Sequence, residues 1–239
     1  MVYLSRILLD VRQRNLHTVI GNCHELHTFV LRGFPQVVAP MQPREHFGVL
    51  FRLETLSHTD HTVRLLVQSQ QQPDWSWIKP AWLAAAPNQR GNPAVRLVDN
   101  EYAAITTGAT LFFRLRANPT KRISSNNTHE TEQWHKKRVD LRSDEDRVAW
   151  LERQGEQHGF RLIPVADQPD VRDVRVIPQA RVQGRQKANQ TLTFGAVIFE
   201  GLLHVTEQER FQLALEHGIG KGKAYGFGLM SVAVLGSTS

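Results

Sequence analysis

The sequence predicts an α+β protein whose two halves each follow a βαβ-type order. In the first half, segments with strand and helix patterns alternate as β-α-β-β-α-β, which is the split βαβ, or ferredoxin-like, pattern. The second half repeats this plan less plainly. A polar, charged segment near residues 118–142 separates the halves and lacks apolar periodicity, which indicates a linker or a loop.

Each element of the first half has its own sequence signal. Residues 2–10 mix β-branched and apolar side chains over the length of a strand. Over residues 16–31, apolar side chains recur at spacings of three and four, which predicts a helix. Gly33 and Pro35 end that helix. The other predicted elements of this half are strands over residues 47–53 and 62–68, a short helix over residues 75–86, and a strand over residues 109–115.

The second half begins with a helix signal at Ser143, a serine N-cap followed by acidic residues that favour the helix dipole. Residues 160–165 predict a strand, and residues 171–185 and 191–205 predict the two arms of a long hairpin. Thr206, with Glu209 at the capping-box position, predicts a helix that ends at His217. A glycine-rich loop and a strand over residues 229–235 follow.

Composition and charge exclude several classes of protein. The 41% of hydrophobic residues can form a core, which excludes global disorder. No apolar run reaches the roughly 18 residues that a membrane span needs, and the amino terminus lacks the features of a signal peptide. The single cysteine, Cys23, excludes an internal disulfide and suits a reducing cytoplasm. A net charge of +6 and a pI near 9.8 favour a polyanion or an acidic surface as partner.

The glycine-rich loop after His217 combines glycines with lysines. Exposed backbone N–H groups beside lysines form a concavity suited to anions such as phosphate. The spacing fits neither a P-loop nor a dinucleotide fingerprint, and the loop follows a helix and precedes a strand, so we expect no nucleotide cofactor. The alternative is a plain turn before an edge strand. The residues concerned are Gly218, Gly220, Lys221, Gly222, Lys223, Gly226 and Gly228.

The predicted hairpin carries an excess of basic residues over a single acid, Asp173. Side chains alternate between the two faces of a strand, so such a hairpin could present a stripe of cations to a polyanion. The alternative is a solvated surface balanced by acids elsewhere. The basic residues are Arg172, Arg175, Arg181, Arg185 and Lys187.

Two histidines are the candidates for proton transfer. His24 and His27 lie three residues apart on the first predicted helix and therefore on one face. A histidine titrates near neutrality and serves as a general base or acid. The adjacent Cys23 suggests zinc, but two histidines and one cysteine without a further ligand pair are a weak metal signature. We therefore predict no metal site.

Several segments together resemble the CasE family, the endoribonucleases that process CRISPR RNA in type I-E Cascade complexes. The resemblance extends over nearly the whole chain. It is carried by Phe-Arg-Leu-Arg-Ala-Asn-Pro at residues 113–119 with Lys121, by Ala-Trp-Leu-Glu-Arg at 149–153 with Gly159 and Phe160, by Phe-Glu-Gly at 199–201, and by the glycine-rich segments at 218–224 and 226–232.

The resemblance implies two tandem ferredoxin-like domains, over residues 1–118 and 143–239, joined by residues 119–142. It also implies metal-independent cleavage of a CRISPR repeat RNA stem-loop by attack of a ribose 2′-hydroxyl on the adjacent phosphate. The protein would act in the cytoplasm and then hold the guide RNA within Cascade, in contact with the other subunits. The family's catalytic histidine falls on His27 and its tyrosine falls on His24, a departure that leaves the second catalytic role open.

The remaining expected contacts are with phosphates. Arg32, one turn beyond His27, is a candidate to stabilise the charge that develops on the phosphorane. The basic hairpin, Lys221 and Lys223 are expected to bind RNA by shape and phosphate contacts. Two alternatives stay open: a non-catalytic subunit that holds the guide RNA hairpin without cutting it, and a basic protein-interaction module that binds no RNA.

Overall fold

A computed structural model gives the fold of residues 1–38, 40–56, 61–85, 91–122, 138–185 and 191–235. Its first part contains one four-stranded sheet. The elements in chain order are β1 (Tyr3–Asp10), α1 (Arg14–Gly21), α2 (Cys23–Leu31), α3 (Pro43–His46), β2 (Leu50–Thr55), β3 (Thr62–Ser69), β4 (Ala94–Leu97) and α4 (Asp99–Ala103). Helices α1 and α2 are packed against one face of this sheet.

The first sheet is antiparallel and has the strand order β2-β3-β1-β4. β3 therefore separates β1 from β2, the two strands that α1 and α2 connect, and β1 separates β3 from β4. This is the split βαβ arrangement. Ile7 and Leu65 of the sheet pack with Leu26 and Val30 of α2 in the core of this domain.

The single helix predicted over residues 16–31 is two helices that meet at Asn22. The backbone of Asn22 is extended, with φ −125° and ψ 112°. Its side chain accepts a hydrogen bond of 3.0 Å from the backbone N–H of His24 and so caps α2. The apolar periodicity continues across the break because Leu16 and Leu26 pack into the same core. The pattern alone therefore concealed the break.

The prediction of a helix over residues 75–86 is wrong as well. Only Pro80–Trp82 form a helical turn, of the 3-10 type. Proline lacks the N–H that an interior helical position must donate, so Pro80 stands at the start of this turn instead of inside a longer helix. The strand that completes the first sheet is β4, which is short, largely exposed and without a clear sequence signal.

The second part of the chain contains a larger sheet and two long helices. The elements in chain order are β5 (Thr110–Ala117), β6 (Thr120–Arg122), β7 (Arg138–Asp140), α5 (Asp144–His158), β8 (Phe160–Leu162), β9 (Pro164–Val165), β10 (Gln168–Arg172), β11 (Val174–Arg185), β12 (Thr191–Val205), α6 (Gln208–His217) and β13 (Met230–Val234). The predicted hairpin is confirmed as β11 and β12. The predicted cap is also confirmed, since Ser143 accepts a hydrogen bond of 3.1 Å from the Asp146 N–H.

The second sheet has the order β11-β12-β5-β13, with β8 also paired to β12. β5, which we predicted as the last strand of the first half, is the first strand of this sheet. Both halves then have the same split βαβ order, and the prediction of tandem ferredoxin-like domains is confirmed. The division between the two sheets falls between Leu97 and Thr110, and not at residue 118.

The other corrections concern the ends of elements. Within residues 119–142, which we predicted as a linker or a loop, β6 and β7 pair as a short antiparallel ladder. The N-cap of α6 is Glu207, not Thr206, and its side chain makes no capping hydrogen bond. The Gln208 N–H instead donates to the Thr107 hydroxyl at 3.2 Å, a contact between distant segments that local sequence does not encode.

Buried polar contacts centred on Arg52 of β2 join the two sheets. The Arg52 side chain is 2% exposed and forms an ion pair of 2.8 Å with Glu54. Its guanidinium donates to the backbone carbonyls of Arg114 and Leu229, at 3.1 and 2.9 Å, and to the hydroxyl of Ser231 at 2.9 Å. Arg114 lies on β5 and Ser231 on β13, so one side chain of the first sheet ties two strands of the second.

Among the described residues, no helix is long and apolar enough to span a membrane.

Candidate active site

The amino-terminal end of α2 lies against strand β11 of the hairpin. Gly184 of β11 faces this end, and a Cβ atom at Gly184 would lie 2.6 Å from the Cys23 sulfur and 3.2 Å from the His24 backbone nitrogen. Only a glycine permits this approach. The hairpin therefore runs directly beside the turn of α2 that carries His24. The His24 residue is half-buried.

His27 lies one turn further along α2, where the helix meets the glycine-rich loop. Its side chain is half-buried, and its ring centroid is 6.3 Å from that of Tyr225. Its Nδ1 atom is buried and has no hydrogen-bond partner among the described residues. A buried ring nitrogen without a partner is uncommon, and this one lies beside a loop suited to anions.

The surroundings of His27 favour the neutral imidazole. Burial lowers its pKa to about 4, and the positive charges of His24 and Arg44 act in the same direction. A hydrogen bond with the backbone of Ala224 opposes this shift without reversing it. At neutral pH the side chain is therefore unprotonated in the free protein and can accept a proton.

The glycine-rich loop has a backbone conformation that favours glycine. Gly218, Gly220, Gly222, Gly226 and Gly228 all have positive φ, between 75° and 89°. At Gly220 an added Cβ would also lie 3.0 Å from the Trp150 ring. Both the positive φ and the close packing therefore require glycine there. The loop places Ala224 and Tyr225 against α2, and Tyr225 stacks on Phe194 of the hairpin at 4.9 Å.

Two cations lie close to this centre. Lys223 precedes Ala224 in the loop, and burial together with the charges of Arg44 and Lys221 lowers its pKa. Arg44 of α3 has a side chain 19% exposed and forms a surface ion pair of 2.8 Å with Glu45. It acts electrostatically on both Lys223 and His27. We predicted Lys223 but not Arg44, because Arg44 lies in a segment whose sequence gives no pattern. Lys221, also predicted, is exposed on the same loop.

The contact that Arg32 makes in this structure is with Trp77 and not with His27. Arg32 follows α2 as the C-cap residue, and its guanidinium stacks over the Trp77 ring at 4.2 Å. This cation–π contact occupies the face of the guanidinium. The phosphate role of Arg32 stays a prediction.

The arginines of the hairpin do not form one stripe. β11 contains a bulge between Gln179 and Val182, and it shifts the register by one residue. Before the bulge Arg175 lies opposite Glu200 in the β ladder, and after it Arg185 lies opposite Thr191. Glu200 and Thr191 are an odd number of residues apart on β12, so Arg175 and Arg185 lie on opposite faces. The strand alternation that predicted the stripe holds only where the register is unbroken.

Acidic partners occupy two of the other predicted arginines. Arg172 forms an ion pair with Glu152, and Arg181 forms one with Asp140 at 3.2 Å. Arg185 remains exposed and lines a groove with Asn22, at the break before α2. Of the predicted hairpin cations within the described residues, Arg185 is therefore the one that lines a groove at the start of α2. Lys187 lies outside the described residues.

The arrangement suits proton transfer next to a bound phosphate. A neutral imidazole, an anion-facing loop and two nearby cations meet at the junction of the two domains. No three of His, Cys, Asp and Glu come close enough to hold a metal ion within the part of the chain described. The chemistry that these side chains themselves offer is acid–base catalysis with electrostatic stabilisation of a dianionic transition state.

Comparison with known proteins finds relatives over the whole chain. A family model described as CRISPR associated protein matches residues 2–233. The chain is 32% identical over 234 residues to the CRISPR-associated endoribonuclease Cse3 of Thermus thermophilus, covering 97% of this chain and 100% of that protein. It is 33% identical over 133 residues to the CRISPR system Cascade subunit CasE of Escherichia coli, covering 55% and 61%. A solved structure of CRISPR endoribonuclease Cse3 bound to a 19-nucleotide RNA matches with a TM-score of 0.75 at 31% identity, covering 97% and 99%.

Proposed function

Because the chain belongs to the family of CRISPR-associated proteins that contains Cse3 and CasE, we propose that it is an endoribonuclease that cleaves CRISPR repeat RNA at its stem-loop. The observation that carries this proposal is His27, a half-buried imidazole kept neutral beside a glycine-rich loop and two cations. RNA brings its own nucleophile, the 2′-hydroxyl, so no metal ion is needed to generate one. The enzyme must supply alignment, proton transfer and charge stabilisation.

In the proposed reaction, His27 accepts the proton of the ribose 2′-hydroxyl. The 2′-oxygen forms a bond to the adjacent phosphorus, and the bond from phosphorus to the 5′-oxygen breaks. The leaving 5′-oxygen takes up a proton, so the products are a 2′,3′-cyclic phosphate and a free 5′-hydroxyl. General acid–base catalysis of this kind typically contributes ~10²–10⁴-fold to the rate. Holding the 2′-oxygen in line with the leaving oxygen contributes further.

Arg44 and Lys223 are the cations that we assign to the phosphate. Arg44 lies in the electrostatic surroundings of His27, and Lys223 adjoins Ala224, whose backbone contacts that histidine. Fixed cations at the place where charge develops stabilise the transition state more than the ground state. Arg32, which stacks on Trp77, stays a prediction for the same role.

The proton donor to the leaving oxygen is a choice between two residues. His24 stands where the family has a tyrosine, one turn before His27, and its charge lowers the pKa of His27. Tyr225 of the glycine-rich loop also brings a phenol ring near His27. We assign the role to His24, because two imidazoles can divide the work of base and acid near neutral pH.

The RNA stem is expected to lie along the hairpin side of α2, with Arg185 beside the cleavage point. A-form RNA hides its bases in a narrow major groove, so recognition there relies on shape and phosphates. After cleavage the protein would keep its hairpin product and join the other Cascade subunits, as the name of the Escherichia coli relative suggests. We place this work in the cytoplasm, where the transcript is made.

The test is incubation of the protein with the host's CRISPR repeat RNA in EDTA, followed by separation of the products on a gel. We expect one cut at the base of the stem, with a 2′,3′-cyclic phosphate end. A 2′-deoxy substitution at the cleaved nucleotide should abolish the cut without weakening binding. Binding without any cleavage of the unmodified RNA would instead support the non-catalytic subunit, and absence of binding would support a protein-interaction module.

A further inference from the structure

A second basic surface, which we call the α5 cleft, lies beside the glycine-rich loop. It is formed by α5, by the loop and by the segment that carries β6 and β7. None of the described hairpin arginines lines it. Its charged and imidazole side chains are Lys121, Arg138, Arg153, His158, Lys221 and Lys223.

The positive charge of the α5 cleft is poorly balanced by protein carboxylates. No aspartate or glutamate is among the described residues that line it. Arg138, Arg153 and Lys221 are exposed and form no ion pair with a carboxylate in the described part of the chain. Lys121 has one partner, Asp146, at 3.8 Å on the surface, where ion pairs contribute little. Like charges gathered in a concave surface attract a polyanion.

The α5 cleft adjoins the candidate active site. Lys223 lines the cleft, and the next residue, Ala224, contacts His27. The hairpin reaches the same turn of α2 from another direction, through Gly184. A strand cleaved at His27 therefore has basic protein surface on two sides, one at the hairpin and one in the α5 cleft.

We propose that the α5 cleft binds the single-stranded RNA segment that continues beyond the scissile phosphate, with Lys121, Arg138 and Arg153 in contact with its phosphates. This proposal rests on the proposed function. In-line attack requires the nucleotide at the cleavage site to leave A-form geometry, so the strand departs from the stem at His27. The departing strand then meets Lys223 first and the rest of the cleft beyond it.

The experiment compares two RNAs that both carry a 2′-deoxy nucleotide at the cleavage site and so are not cut. One ends at the base of the stem, and the other continues as a single strand. The readout is the ratio of their Kd values, measured by fluorescence anisotropy over a range of salt concentrations. The cleft variant carries Lys121→Ala, Arg138→Ala and Arg153→Ala. The matched control removes the same charge elsewhere, with Arg96→Ala, Arg161→Ala and Arg210→Ala, all exposed positions outside the cleft.

For the unmodified protein and the control, we expect the extension to tighten binding and to steepen the salt dependence. In the cleft variant the Kd ratio should fall toward one. The slope of log affinity against log salt for the extended RNA should become shallower by about 2, because each of the three lost single-strand contacts contributes ~0.7. A ratio of one in the unmodified protein, an unchanged ratio in the cleft variant, or an equal loss for both RNAs would overturn the proposal. Failure of cleavage itself would appear separately, with the unmodified RNA, and would leave these ratios unaffected.

Discussion

The pKa of His27 makes a strong prediction about the pH dependence of cleavage. A shift from 6.5 to about 4 corresponds to about 3 kcal/mol against the imidazolium. At pH 6 about 1% of His27 would then be protonated, whereas about 75% of an unperturbed histidine would be. Because kcat/KM reports the free enzyme, the acid limb of its pH profile should lie near pH 4, and titration of His27 should cause no rise in kcat/KM between pH 5 and 7.

The assay is single-turnover cleavage at subsaturating RNA across this range, together with an NMR titration of His27 in the free protein. Arg44→Met removes a positive charge that lowers the pKa, so it should move both the NMR pKa and the limb upward. His27→Ala should lose the limb and about 10²-fold or more of the rate. A limb and an NMR pKa near 6.5 in the unmodified protein would refute the argument from burial.

Three further predictions concern other parts of the site. If His24 is the proton donor, His24→Ala should remove the alkaline limb of the rate profile and His24→Tyr should restore part of the activity, whereas an unchanged profile would exclude that role. Arg185→Ala should lower the salt slope of stem-loop binding by about one unit, and an unchanged slope would place Arg185 in the solvated surface. Gly220→Ala should lower the free energy of unfolding by about 1–2 kcal/mol because its φ is +80°. Gly21→Ala, where an added Cβ meets nothing within 4 Å, should have little effect in the same denaturant titration.

The imidazole of His27 also makes folding stability depend on pH. His27 has a folded-state pKa below its unfolded value, so the unfolded chain binds more protons in acid. Its contribution to stability is complete above about pH 6.5 and is lost as the pH falls toward about 4. His27→Gln should therefore make the midpoint of urea unfolding less dependent on pH within that window. An equal dependence in both proteins would show that other groups control it.

The sequence was sufficient where local chemistry determines the structure. Ser143 marks the start of α5, and the positive φ of Gly220 follows from its place in a glycine-rich loop. The sequence was insufficient where contacts between distant segments determine the structure. β5 has a clear strand pattern, but only its pairing with β12 assigns it to the second sheet. Arg44 could not be found because its role depends on the position of α3 beside the loop, which no local pattern encodes.

The bulge in β11 shows the same limit for the binding surface. Alternation along a strand predicts which side chains share a face, but one extra residue reverses it from that point onward. Arg175 and Arg185 therefore came to opposite faces although both fit the predicted stripe. Nothing in the sequence between Gln179 and Val182 distinguishes a bulge from a regular strand, because the bulge depends on how β11 pairs with β12.

The contacts of Arg52 bear on how the enzyme releases its product. A guanidinium that is 2% exposed cannot leave the carbonyls of Arg114 and Leu229 without stranding a charge away from water, which costs several kcal/mol. Separating the two domains is therefore a costly way to release a cut strand. Release then depends on breaking the phosphate contacts one by one, and a slow off-rate is the expected result.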